Sequence, residues 1–240
     1  MQLPDASLLR RFDIPGPRYT SYPTADRFVE AFDAPTFAGW LGKRGDLSTA
    51  APLSLYVHIP FCDTICYYCA CNKVITKDHT KAVEYLDALE REAGMIADRL
   101  SGGRSIEQLH IGGGSPTFLD NDQLRRLMAI ITRRFPITAN AEAGIEVDPR
   151  GTGPDKVHVL GGLGFNRLSI GVQDFDPNVQ KAVNRLQSFE ITQLTIEAAR
   201  SAGFRSINLD LIYGLPHQTR ATFAATLDKV LVLSPERIAP

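Results

Sequence analysis

From Leu53 onward the apolar positions of the chain switch repeatedly between two rhythms. Short stretches are β-rich or alternate with period two, and longer ones recur every three to four residues. LSLYVHIPF (53–61) predicts a strand, and Lys81 to Leu100 predicts a helix with Val83, Leu86, Leu89, Ala93 and Ile96 on one face. IEQLHI (106–111) predicts a second strand, ending at Gly112-Gly113-Gly114. Asp122 to Arg134 predicts a helix that turns Leu124, Leu127, Met128 and Ile131 inward, and AEAGIEVDP (141–149) a third strand. A weak helix follows over Asp155 to Leu163, which carries Gly161 and Gly162. RLSIGVQDF (167–175) and INLDLIYGLP (207–216) predict strands four and five, with helical segments to Ser201 between them and a helix over Ala221 to Leu233 after them. RIAP (237–240) reads as the start of a sixth strand.

Strands that alternate with helices in this way imply an α/β fold with a parallel sheet. Such folds place their chemistry at the C-terminal ends of the strands. Residues 1–50 differ: Pro4, Pro15, Pro17, Pro23 and Pro35 interrupt helices there, and only Thr36 to Leu41 reads as a short one. The expected organisation is an irregular N-terminal arm (1–50) and a partial (βα)6-type barrel (51–240). The barrel is expected to be truncated at the start of strand six.

Composition narrows the function. The chain has 240 residues, 44% of them hydrophobic, enough for one large core. Its formal net charge of −1 gives no global attraction for nucleic acid or an anionic membrane, so neither is expected as a partner. No apolar run reaches the length of a membrane span, and the first residues resemble neither a signal nor an anchor. A cytoplasmic location, whose reducing conditions suit free thiolates, is expected.

All four cysteines lie within ten residues, as Cys62, Cys66, Cys69 and Cys71 in FCDTICYYCAC. A disulfide pair is disfavoured without a secretion signal. Zinc sites usually pair Cys-x2-4-Cys with a second, distant pair, and no second pair exists here; His58 and His79 lack finger spacing. Cys-x3-Cys-x2-Cys points instead to an iron–sulfur cluster, in which three thiolates leave one iron free for a non-protein ligand.

Other polar residues gather at predicted strand ends. Gly112-Gly113-Gly114-Ser115 follows the second strand without the Lys-Ser/Thr of a phosphate loop. Glu146 and Asp148 end the third; Asp148 precedes Pro149 and reads as a turn former, leaving Glu146 as the better ligand. Gln173 ends the fourth, in phase with inward positions. Arg185 could clamp a carboxylate, against the plain alternative of a solvated helix residue. Asp210 interrupts an apolar strand, where a carboxylate needs a partner or a polar cavity. His58, His110 and His217 are given no catalytic role.

The cysteine loop, with Tyr68 before the third cysteine, resembles the signature of radical S-adenosylmethionine (SAM) enzymes. GPRYTSYPTA (16–25), LYVHIPFC (55–62), CACNK (69–73), HIGGGSPT (110–117), IEVDPR (145–150), NRLSIGVQDF (166–175) and DLIYGLPHQT (210–219) together resemble the oxygen-independent coproporphyrinogen III oxidase family. Ser115 stands where that family usually has threonine. The resemblance implies a 4Fe–4S cluster on Cys62, Cys66 and Cys69, with SAM chelating the open iron and cleaved, on one-electron reduction, to a 5′-deoxyadenosyl radical. It implies two SAM molecules. Tyr56, Tyr68, Gly113 and Glu146 would contact the first, and Cys71, Gly114, Ser115, Gln173, Arg185 and Asp210 would lie at the second. The implied reaction turns two propionates of coproporphyrinogen III into vinyls, with a low-potential electron donor as a further partner and a monomer as the working form. The implied family continues into a C-terminal domain, so this chain is expected to be incomplete for catalysis. A haem-binding chaperone relative is the rival of a different class, though such relatives generally lack the GPRYTSYPT arm and Cys-Asn-Lys.

Overall fold

The structure, a computed structural model, describes residues 5–14, 23–46 and 51–240. Most of the GPRYTSYPTA stretch, residues 16–22, lies outside the described residues. The arm is less irregular than its prolines imply. Asp5 caps α1 (Ala6–Phe12) by accepting from the Ser7 amide, and Asp33 caps α2 (Ala34–Lys43) by accepting from Thr36. Pro35 sits in the first turn of α2, where the missing N–H would lack a partner anyway.

The remaining elements follow in chain order: β1 (Leu53–Ile59), β2 (Phe61–Cys62), β3 (Val74–Ile75), α3 (Lys81–Arg99), β4 (Ile106–Gly113), α4 (Asn121–Arg134), β5 (Ile137–Val147), α5 (Pro154–Gly162), β6 (Arg167–Gln173), α6 (Pro177–Ala182), α7 (Phe189–Ser201), β7 (Ser206–Leu211), α8 (Arg220–Leu233) and β8 (Arg237–Ala239). Six strands form one sheet in the order β1-β4-β5-β6-β7-β8, and every neighbouring pair is parallel. This is the α/β partial barrel expected from the sequence, with β8 as its sixth strand. The short β2 and β3 pair with each other and close the cysteine loop.

The core lies on one side of the sheet. Leu109, Ile111, Ile145, Leu168, Ile170 and Leu209 point into a single apolar cluster with Leu86 of α3, Leu127 of α4, Leu160 of α5, Ile196 of α7 and Val230 of α8. The alternate residues, among them His110, Glu146, Ser169, Asn208 and Asp210, line open cavities on the other face. Parallel sheets covered on both faces carry near-continuous apolar runs; the buried–unburied alternation of β6 and β7 marks a sheet covered on one. Asp120 and Gln123 form a reciprocal capping box at the start of α4, and Thr219 with Thr222 does the same for α8.

One expected core position is corrected. Val83 is exposed, and the buried stripe of α3 runs through Ala82, Leu86 and Ala97. One residue turns a helix by about 100°, so a stripe centred on Ala82 leaves Val83 on its flank. Leu86→Ala should therefore cost about 2–5 kcal/mol of unfolding free energy, whereas Val83→Ala should stay within about 0.5 kcal/mol. Urea denaturation of the two variants measures both; equal losses would restore Val83 to the core.

Candidate functional site

β1 delivers the chain directly into the cysteine loop. The loop is closed by Val74 N–H donating to the Pro60 carbonyl (2.7 Å) and Thr76 N–H to the Cys62 carbonyl (3.0 Å). It docks on the segment after α6: Tyr67 N–H donates to the Val183 carbonyl (3.0 Å), and Asn184 Nδ2 to the Ile65 carbonyl (2.7 Å). Tyr68 packs against a small apolar cluster of Val179, Val183 and Leu215. The aromatic before the third cysteine thus anchors the loop as well as facing the pocket.

Cys62, Cys66, Cys69 and Cys71 all line one cavity of about 430 Å³, shared with Tyr68, Gly113, Gly114, Ser115, Glu146, Gln173, Arg185 and Asp210. Of the residues that the resemblance assigns to the cluster and SAM sites, Tyr56 lies outside it, in a second cavity further down the open face that shares Ser169 with the first. Cys66 is buried, Cys62 and Cys69 are half-buried, and Cys71 is exposed. Burial, followed by the charges of Cys69, Cys66, Asp148 and Cys71, pushes the Cys62 thiol up to about 11. Burial and Cys69 push Cys71 up as well. Thiols that oppose one another's ionisation this way ionise together only around a cation. Among the described residues no three His, Cys, Asp or Glu side chains are gathered to hold a single metal ion. A zinc site would bring all its thiolates to one ion, whereas a cluster takes each on a different iron. Three thiols of one short loop that line a shared cavity are a donor set that fits an iron–sulfur cluster.

The glycines at the end of β4 are required by closeness. Gly113 has φ of +122°, a backbone region nearly reserved for glycine. A Cβ on Gly114 would meet the Pro60 and Phe61 carbonyls at 2.7 and 2.8 Å and Cys62 Sγ at 2.9 Å. Gly114 N–H donates to the Ile59 carbonyl and Ser115 N–H to that of Phe61, both at 2.8 Å, so β4 is fastened to the cysteine loop.

Beside this edge, Glu146 accepts from Gly113 N–H (3.3 Å) and pairs with His110 Nε2 (3.0 Å). Tyr56 stacks on the His110 ring, and its hydroxyl lies 3.0 Å from His58 Nδ1. His58 Nε2 lies 2.8 Å from the Asn72 carbonyl, which can only accept, so Nε2 carries the proton and Nδ1 accepts from Tyr56. Both histidines thus tie strand residues to the site, and the sequence reading missed this. Their signal was positional: His58 and His110 share the face of Tyr56 and Glu146. Lys73 donates to the carbonyls of Cys69 (2.8 Å) and Cys71 (3.3 Å), which explains a cation after the third cysteine.

Asp148 does initiate a turn, accepting from the Arg150 amide at the start of the 3-10 segment Pro149–Gly151. It is also the half-buried partner of two guanidinium groups, Arg150 (2.6 Å) and Arg185 (3.4 Å). Burial alone would raise its pKa; hydrogen bonds from Arg150 and the charges of Arg185 and Arg150 outweigh burial and hold the carboxyl below its usual range. Arg185 is no solvated helix residue. It lies beyond the end of α6, 7% exposed, and its Nε has no partner. Gln173 follows a register break between β6 and β7 and has φ of +70°. Asp210 accepts from Ser169 Oγ (3.0 Å) and Asn208 Nδ2 (2.6 Å), yet burial outweighs both bonds and raises its pKa.

The model of the radical SAM superfamily matches residues 56–230. The chain is 52% identical over 237 residues to the oxygen-independent coproporphyrinogen III oxidase of Pseudomonas aeruginosa, covering 98% of this chain and 51% of that protein. The solved coproporphyrinogen III oxidase of Escherichia coli superposes with a TM-score of 0.88 at 45% identity, over 98% of this chain and 52% of that one. A radical S-adenosylmethionine methyltransferase from Kitasatospora setae shares the fold alone, with a TM-score of 0.52 at 16% identity over 78% of this chain and 36% of that one. The chain spans about half the length of the curated relatives it matches.

Asp210 makes a pH-dependent prediction for the ligand-free protein. Its folded pKa lies above the unfolded one, so the folded state holds the proton more tightly. The penalty is absent below the ordinary carboxyl range, where both states are protonated, and grows as pH rises through the folded pKa. Asp210→Asn should therefore melt higher than the parent at neutral pH, with the gap closing on acidification. A gap that is constant with pH would show that the carboxylate is not strained by burial.

Proposed function

The chain belongs to the radical SAM superfamily, and on that premise we propose that it carries the cluster- and SAM-binding part of an oxygen-independent coproporphyrinogen III oxidase. The observation that carries this reading is the convergence of the cysteine loop, the glycine edge of β4 and Glu146 on one cavity. Residues 51–240 are the cofactor-binding unit in this proposal, with residues 1–50 as an arm.

Cys62, Cys66 and Cys69 hold the cluster, and Cys71 does not. When bound, the cluster and SAM supply a carbon-centred radical that abstracts hydrogen from the substrate. The chain's own residues position the parts. Gly113 and Glu146 face the methionine end of SAM, where a carboxylate is a natural partner for an ammonium. Tyr68 would flank it with its ring anchored in the small apolar cluster, and Tyr56 would reach it from the second cavity, through the His110 ring that pairs with Glu146. Cys71, Gly114, Ser115, Gln173, Arg185 and Asp210 line the space assigned to a second SAM molecule; Ser115 keeps the hydroxyl of the usual threonine. Supporting the last group, Arg185 Nε is a buried donor without a partner and Asp210 a half-buried carboxylate raised by burial. The substrate is coproporphyrinogen III. Each of two propionates gives one hydrogen atom to the SAM-derived radical, releases carbon dioxide and passes one electron to a one-electron acceptor, leaving a vinyl group, and the reducing electron for SAM comes from a low-potential donor.

Anaerobic reconstitution with iron and sulfide, then dithionite and SAM, tests the core of this. Formation of 5′-deoxyadenosine is expected; a chain that loads a cluster but neither binds nor cleaves SAM would sink the proposal. Serine variants should lose iron and sulfide at Cys62, Cys66 and Cys69 and keep both at Cys71, and equal loss at all four would refute the three-ligand assignment. Glu146→Ala should leave the cluster intact and weaken SAM by the loss of a charge-assisted hydrogen bond, about 1.5–3 kcal/mol, or roughly 10- to 150-fold in Kd. Isothermal titration with SAM reads that change, and unchanged affinity removes Glu146 from the site.

A further inference from the structure

Asp148 is the most highly connected charged group of the site, and the proposed chemistry does not use it. Its Oδ1 accepts from Arg150 N–H (3.1 Å) and Nε (2.9 Å), and its Oδ2 from Arg150 Nη2 (2.6 Å) and Arg185 Nη1 (3.4 Å). Both guanidinium groups reach past it to one atom. Arg150 Nη2 and Arg185 Nη1 each lie 3.6 Å from Cys66 Sγ. Arg185 is pinned further by donating Nη2 to the Gly171 carbonyl (2.8 Å). A buried and a half-buried cation so close repel each other, and Asp148 is the anion that lets them stand side by side. Cys66 is the buried cysteine of the loop, so its sulfur meets these donors with little water to screen them.

We propose that Asp148 is a positioning residue that holds Arg150 and Arg185 as a two-donor clamp on the Cys66 sulfur and thereby raises the reduction potential of the cluster. This rests on the reading of Cys66 as a cluster ligand. Reduction adds one electron, and so one negative charge, to the cluster and its thiolates. Hydrogen bonds to a ligand sulfur stabilise that added charge, and partners around the ligands set where reduction occurs. A low-potential cluster that must accept an electron before SAM is cleaved gains from such a clamp.

The alternative is that Asp148 only neutralises two arginines and shapes a turn, and the two ideas predict opposite signs. Replacing the anion with Asn while the arginines stay in place would make the surroundings more positive and raise the potential. Asp148→Asn lowers it if Asp148 holds the donors and they swing away. Arg150→Lys supplies an independent check: the charge remains, but a point ammonium cannot span Asp148 and Cys66 as the planar fork does. The experiment is a dithionite titration of reconstituted protein without SAM or substrate, followed by electron paramagnetic resonance of the reduced cluster, with iron and sulfide counted beforehand. Where the parent is half reduced, each variant should show a reduced-to-oxidised ratio lower by about tenfold, about 59 mV for a one-electron couple. A rise for Asp148→Asn, or an unchanged potential for Arg150→Lys, overturns the proposal. If Asp148→Asn does not fold, Arg150→Lys decides. If neither variant loads a cluster while the parent does, the residues serve assembly and not potential, and the proposal falls. A parent that takes up no cluster would instead overturn the function proposed above.

Discussion

Along the central strands, side chains alternate between a helix-covered core and an open face, and every part of the site is placed by that alternation. Leu109, Ile145, Leu168 and Leu209 bury one side of β4, β5, β6 and β7 against the helices. Burying such a side chain contributes about 1.5–3 kcal/mol. A slip of one residue would exchange these three leucines and one isoleucine for His110, Glu146, Ser169 and Asp210. The register that makes the core is thus the register that points the site's polar groups into the cavity. Barrels of branched residues fill their interior with packed layers; this sheet leaves that space polar and accessible, with glycines at its upper edge.

On that open face, charge is arranged by pairing. Asp148 and the two arginines form a compact, largely covered group beside the thiols, with Arg185 fully buried, while Glu146 and His110 form a more exposed one on the neighbouring strands. The first keeps two cations near the cysteine loop, and the second keeps a carboxylate near the glycine edge. Asp174 does a comparable job behind the site: it is buried, accepts from Thr226 Oγ1 (2.6 Å) and the Asp176 amide (2.7 Å), and ties the end of β6 to α8.

The period of the apolar pattern was enough to read the order of strands and helices, because each strand had to fill one face of a common core. The cysteine loop, the glycine edge, Glu146 and Asp210 stood out in the sequence because chemistry-bearing residues recurred at the ends of successive strands, whereas Arg185 stood out only as a cation able to clamp a carboxylate, against the plain reading of a solvated helix residue. What escaped depended on contacts far apart in sequence. Arg150 was not singled out in the sequence, because Cys66, one of its partners, comes from a distant segment. His58 and His110 read as ordinary strand histidines because their partners, Asn72 and Glu146, come from other segments. Val83 satisfied the helical period and still fell outside the core, since period alone does not say where the centre of a stripe lies. Asp5 and Asp33 showed their capping role only once the helices they start were in view.

Gln173 closes β6 at φ of +70° just after a register break, and Ile212 N–H donates to its carbonyl at 3.1 Å. A side chain held in that backbone region costs on the order of 1 kcal/mol or more. Glycine would relieve that cost in the folded chain while adding freedom to the unfolded one, so the two effects largely offset. Thermodynamics therefore gives little reason to prefer glutamine there, and an amide that faces the cavity does. Glycine at this position would leave stability nearly unchanged and take an amide away from the lining of the cavity.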